Sequence, residues 1–117
     1  MTEDCIFCRI IQGTAPARIV YQDEQVTAFW DVDPRTPVHL LVVPNTHFES
    51  LDALEDKDAG LLGRMILTAR RLATEQGIGE SGYRLVINTG VDAGQSVSHL
   101  HLHLIGGRHM PVFFPTP

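Results

Sequence analysis

The residues best suited to chemistry fall in one run, Ser98-His99-Leu100-His101-Leu102-His103-Leu104-Ile105-Gly106-Gly107. Three histidines alternate with three leucines. A period of two predicts a half-buried strand, with His99, His101 and His103 on one face and Leu100, Leu102 and Leu104 turned into a core. On such a strand neighbouring histidines stand roughly 6.6 Å apart and the outer two roughly 13 Å apart. A single metal with bonds of about 2 Å cannot take all three. At least one histidine therefore has a separate task. Near pH 7 a neutral imidazole keeps one nitrogen unprotonated, so it can serve as nucleophile, proton carrier or ligand. His39 is the one polar residue of the apolar stretch Val38-His39-Leu40-Leu41-Val42-Val43. It reads either as a partner of the histidine run or as a bonded core histidine.

Cys5-Ile6-Phe7-Cys8 supplies two soft ligands at zinc-knuckle spacing. Two buried thiols and a redox pair are the other readings. The start, Met1-Thr2-Glu3-Asp4-Cys5, has neither the basic flank nor the long apolar stretch of a signal peptide, and no run approaches the length of a membrane span. The expectation is a cytoplasmic protein, where a structural disulfide is disfavoured. The net charge of −5 comes with no basic run, which argues against nucleic-acid binding through neutralised phosphates. A small anionic ligand remains compatible with a locally positive site.

The elements that position these residues follow in order. Cys5 to Gln12 predicts a short helix ended by Gly13. Arg18 to Gln22 and Val26 to Val32 predict a hairpin about Asp23-Glu24. Val38 to Val43 is a third strand. Asp56 to Gln76 is the main helix, with Leu62, Met65, Ile66, Ala69, Leu72 and Ala73 as its apolar stripe. Tyr83 to Asn88 is a strand, residues 89–96 a glycine-containing loop, and the histidine run a fifth strand. The connections are mostly too short for parallel crossovers. The expected fold is thus α+β, a largely antiparallel five-stranded sheet with one long and one short helix. At 117 residues it forms one domain, with a core over about 4–108 and an extended apolar tail over 109–117.

The run from Gln95 to Arg108 resembles the signature of the histidine triad (HIT) family, His-φ-His-φ-His-φ-φ with φ apolar. Gly94-Gln95-Ser96-Val97 before it and Gly106-Gly107-Arg108 after it resemble the nucleoside phosphoramidase branch. Cys5-Ile6-Phe7-Cys8-Arg9-Ile10-Ile11, Ala28-Phe29-Trp30-Asp31-Val32 and Pro37-Val38-His39-Leu40-Leu41-Val42-Val43-Pro44 with His47 are similar to further blocks of that branch. The likeness covers about Asp4 to Arg108. Two positions depart from it. Asn45 stands where a lysine is common, and the residues after Met110 contain no tryptophan, which bears on leaving-group preference.

The resemblance implies a homodimer and a purine nucleotide or nucleoside phosphoramidate as ligand. It implies His101 as nucleophile, His103 as a donor to phosphate oxygens, and His39 as a partner in proton handling. Ser96 would bond the phosphate or the leaving group. The Val97 amide and the loop at Gly94 would approach the phosphate, since glycine places no side chain in the way. Phe7, Ile10, Phe29, Val32 and Leu41 would form an apolar nucleoside slot, with Asp31 on the ribose and Asn88 near ribose and phosphate. The metal set implied is Cys5, Cys8, His47 and His99, holding a structural zinc that catalysis does not require. A nucleotide-binding adaptor with incidental hydrolysis and a dinucleoside polyphosphate hydrolase are the rival functions.

Overall fold

The computed structural model describes residues 4–111. Most of the tail predicted over 109–117 lies outside the described residues. The elements are α1 (Ile6–Gln12), β1 (Ile19–Gln22), β2 (Val26–Trp30), β3 (Val38–Pro44), α2 (Ala59–Glu75), β4 (Tyr83–Val86) and β5 (Leu102–Gly106). The strands form one sheet in the order β1-β2-β3-β5-β4, and every neighbouring pair is antiparallel. No helix among the described residues is long and apolar enough to cross a membrane.

The central strand explains the layering. All of β3 is buried, and its alternate residues serve two cores. Val38, Leu40 and Val42 face α2 and pack with Met65, Ala69, Leu72, Leu102 and Leu104. Leu41 and Val43 face the other way and pack with Phe7, Cys8, Ile10 and Phe29. His39 shares that second face by the period of two. Register then sets Phe29 beside Leu41, Leu41 beside His103, and His103 beside Val86, one row across four strands.

α1 is only seven residues long and would be marginal alone. Its Cys5 cap accepts the Cys8 N–H at 3.4 Å, and Gly13 ends it in the left-handed region. Burial of Phe7, Cys8 and Ile10 holds it to the sheet. In α2, Met65, Ala69, Leu72 and Ala73 are buried as expected, but Ile66 is 40% exposed. The buried arc runs through Thr68 instead, one turn from Met65, while Ile66 lies beside it around the helix.

The histidine run departs from the expected strand in one respect: pairing begins only at Leu102. The Leu100 N–H donates to Phe48 O at 2.7 Å, and the His99 carbonyl accepts from the His101 ring. Neither group is left for a ladder. The leucine side still holds, because Leu100, Leu102 and Leu104 are all buried in the main core.

A polar clamp ties the hairpin to both layers. The Asp23 carboxylate accepts the Gln25 and Val26 amides at 2.8 and 2.9 Å, the Tyr21 hydroxyl at 2.6 Å and the Arg64 guanidinium from α2. Burial opposes ionisation of Asp23, but those four donors hold its carboxyl well below the usual range. Asn45 accepts from Thr27 Oγ1 and donates to Asp23 O, each at 2.7 Å. It therefore closes the hairpin from the end of β3.

Gly107 has φ +97°, and a Cβ there would stand 2.9 Å from Pro37 Cβ. Gly13 has φ +82° and open space around it. Gly107→Ala should therefore cost about 1–3 kcal/mol, and more than Gly13→Ala, by urea unfolding. Equal losses would show that backbone conformation alone matters at Gly107.

Candidate active site and metal centre

His101 is buried, and its Nδ1 lies 2.7 Å from the His99 carbonyl oxygen. A carbonyl only accepts, so Nδ1 carries a proton, and in the neutral ring Nε2 holds the lone pair. Phe7 packs edge-on against the ring at 5.2 Å, and the His103 ring lies 5.0 Å away.

Hydrogen bonding fixes His103 in the opposite sense. The Arg35 backbone N–H donates to His39 Nδ1 at 3.1 Å. Neutral His39 must then carry its proton on Nε2. That nitrogen lies 2.9 Å from His103 Nδ1 and 3.4 Å from Asp31 Oδ2. His103 Nδ1 accepts, so its own proton sits on Nε2. Burial pushes His103 down to about 4, with His101 and His39 adding to the effect and Asp31 opposing it. Burial likewise lowers His39, against the pull of Asp31. In its neutral form the row thus offers one imidazole lone pair and one imidazole N–H side by side.

Two cavities meet at this row. An apolar slot of about 260 Å³ is lined by Phe7, Ile10, Phe29, Val32 and Leu41, with Asp31, Ser96, Val97, His101 and His103 at its polar end. A wider cleft of about 520 Å³ is lined by His39, Asn88 and Gly94 and shares Asp31, Ser96 and His103 with the slot. The structure therefore brings together every residue singled out for nucleotide and catalysis. Val32 is 94% exposed and forms a rim rather than a wall. Asp31 is already engaged, since its Oδ1 accepts the Asp33 N–H at 2.9 Å while Oδ2 faces His39.

Some lining residues escaped sequence reasoning. Val86 and Ile105 line the cleft. They stand two positions from Asn88 and His103, so strand periodicity was the available signal. Ile6 and Ala17 line the slot and look like ordinary apolar residues in sequence. Arg35 acts through its backbone N–H, which no side-chain pattern reveals.

On the other side of His101 stands a second cluster. Cys5 Sγ lies 3.3 Å from His99 Nδ1. Cys8 Sγ lies 3.2 Å from His47 Nδ1 and 3.5 Å from His99 Nδ1, and the two Nδ1 atoms are 3.1 Å apart. Tetrahedral zinc bonds of about 2.0–2.3 Å require ligand–ligand edges of about 3.3–3.8 Å, so the set fits with small adjustments. His99 Nε2 lies 2.9 Å from Pro44 O and must donate to it, which leaves Nδ1 free to bind a metal. Burial lowers His99 to about 4, so it stays neutral. Burial and then Cys5 push the Cys8 thiol up to about 11, and a cation here would reverse that. Cys5, Cys8, His47 and His99 can bind a metal ion. Asp31, His39 and His103 are equally close together, but His39 Nε2 there bears a proton that the Arg35 N–H fixes.

The family model described as "Scavenger mRNA decapping enzyme C-term binding" matches residues 4–114. The chain is 45% identical over 108 residues to the purine nucleoside phosphoramidase of Escherichia coli (strain K12), spanning 92% of this chain and 91% of that protein. A HIT family hydrolase from Legionella pneumophila superposes with a TM-score of 0.90 at 44% identity, covering 92% of this chain and 96% of that one. The chain belongs to the histidine triad family. It is a HIT hydrolase with the expected α+β fold. A zinc-bound histidine triad protein from Mycobacterium smegmatis is similar to this HIT chain at TM-score 0.79 and 34% identity, covering 92% of this chain and 78% of that one.

The neutral row has a consequence for acid stability. His103 titrates near 6.5 when unfolded and near 4 when folded. Between those values the unfolded chain binds the extra proton, so stability rises with pH through that window. His103→Asn should remove part of this rise, about 1–2 kcal/mol after solvent screening. Urea midpoints at pH 4.5 and 7 measure it, and an unchanged difference between them would contradict the assignment.

Proposed function

We propose that this HIT hydrolase cleaves purine nucleoside 5′-phosphoramidates or related nucleotidyl conjugates through a covalent nucleotidyl intermediate on His101. The observation that carries this reading is the His101 tautomer, with Nδ1–H given to the His99 carbonyl and Nε2 unprotonated. The identity to a named purine nucleoside phosphoramidase supports the substrate class. The nucleoside occupies the apolar slot, with Asp31 toward the ribose and Asn88 near ribose and phosphate. The phosphate lies where slot and cleft meet, beside Ser96, the Val97 amide and Gly94. The leaving group extends into the wider cleft.

His101 Nε2 attacks phosphorus, and the bond from phosphorus to the leaving nitrogen breaks. That nitrogen departs as the amine after taking a proton from the solvent side. The His103 Nε2–H donates to the phosphate oxygens, whose charge grows in the transition state. His39 holds His103 in the donor tautomer. Water then attacks the nucleotidyl phosphorus, the bond to Nε2 breaks, and the proton taken up in the first step is released. His101 returns to its starting form.

Zinc is the metal assigned to Cys5, Cys8, His47 and His99, because two thiolates and two imidazoles make a closed set that it favours. Bound there it supplies folding energy and leaves no open position for water. We also assign a symmetric dimer through α2 and the edge strand β4, supported by the exposed Ile66 and Leu67 on that helix. Two buried free thiols suit a reducing, cytoplasmic setting.

His101→Asn should reduce multiple-turnover release of AMP from adenosine 5′-phosphoramidate by about a thousandfold or more, with AMP binding retained. AMP binding without turnover in the unaltered protein would favour the adaptor reading. Turnover only with dinucleoside polyphosphates would move the substrate class. Chelation should lower the melting temperature by about 5 °C or more. A melting curve indifferent to chelator would remove the zinc assignment.

A further inference from the structure

His99 belongs to both halves of the site. Its ring Nδ1 stands among Cys5, Cys8 and His47, and its carbonyl oxygen fixes the His101 imidazole at 2.7 Å. That carbonyl lies outside β5, so no ladder bond holds it. The Leu100 N–H on Phe48 O fixes the plane of that peptide, and the His99 side chain anchors the residue through the cluster on one nitrogen and Pro44 O on the other. Phe7, between the two cysteines on α1, packs edge-on against both rings, at 5.8 Å from His99 and 5.2 Å from His101.

We propose that the four-ligand cluster is a positioning element for the reaction, acting through His99 to hold His101 in its nucleophilic tautomer. The argument is one of competing roles. With a metal bound, the Nδ1 lone pairs of His47 and His99 both point at the ion. Without it, two imidazole nitrogens only 3.1 Å apart and two thiols must share protons among themselves. His99 then loses its strongest anchor on the cluster side, so the residue can shift as a whole, and its carbonyl shifts with it. The His101 Nδ1–H then loses its acceptor, and the proton is free to move to Nε2, which silences the nucleophile. Cys5, Cys8 and His47 are thus positioning residues that touch no reacting atom. The inference rests on the assignment of His101 as nucleophile and on occupancy of the cluster by zinc.

The test is the tautomer of His101, read by long-range proton–nitrogen correlation spectra at pH 8. Three samples are compared: the zinc-loaded protein, the same protein after chelation, and His47→Ala. His101→Asn identifies the signal. The loaded protein should show a single Nδ1–H form. Chelated protein and His47→Ala should show a mixture of forms, with turnover at saturating substrate lowered about 10–100-fold. His47→Cys, which keeps a fourth soft ligand, should recover the single form. A single Nδ1–H form that persists in folded, metal-free protein would overturn the proposal. So would global unfolding of both the chelated protein and His47→Ala, seen as loss of the Leu102 and Leu104 methyl signals, since the metal would then serve the whole fold. Because the tautomer is read without substrate, a failure of the phosphoramidase reading would show in turnover alone. Failure of the zinc reading would show as absence of metal in the loaded sample.

Discussion

A single hydrogen bond, from His101 Nδ1–H to the His99 carbonyl, sets the chemistry of this chain. It decides which nitrogen of a buried imidazole can react. It also removes the His99 carbonyl from the sheet, so β5 begins two residues later than its leucine pattern suggests. The cost of leaving the ladder is offset locally by Leu100, whose amide finds Phe48 O and whose side chain stays in the main core. The run is therefore half strand and half bracket.

The second organising fact is that β3 is buried on both faces. A strand in that position cannot tolerate an unpaired polar group. His39 is acceptable there because both ring nitrogens are engaged, one by the Arg35 amide and the other by His103 and Asp31. Burial keeps it neutral against the pull of Asp31. A buried histidine kept from charging thus fixes the proton of its neighbour, and tautomers are passed along the sheet as firmly as side-chain rotamers.

Much of this was legible in the chain. The alternation of histidine and leucine gave the core face correctly, because side-chain period survives where backbone pairing fails. The distance argument also held in substance: His99 turns away from His101 and His103 to join Cys5, Cys8 and His47. Gly13 ends its helix as composition suggests, at positive φ. What stayed hidden was anything carried by the backbone. Arg35 orients His39 through an amide that every residue type but proline possesses. The start of β5 depends on where a carbonyl is spent, and Ile66 leaves the α2 stripe because the buried arc is turned toward Thr68. Asn45 looked like a neutral departure from a lysine, whereas it closes the hairpin with two bonds of 2.7 Å.

The cluster of Cys5, Cys8, His47 and His99 joins residues separated by as many as 94 positions. During synthesis Cys5 and Cys8 precede His99 by 94 and 91 positions and must wait for it to emerge. A nascent fragment that stops short of His99 lacks a ligand of the metal cluster, and one that stops short of His103 lacks part of the histidine row. Both sites are therefore completed by one short run of chain, from His99 to His103.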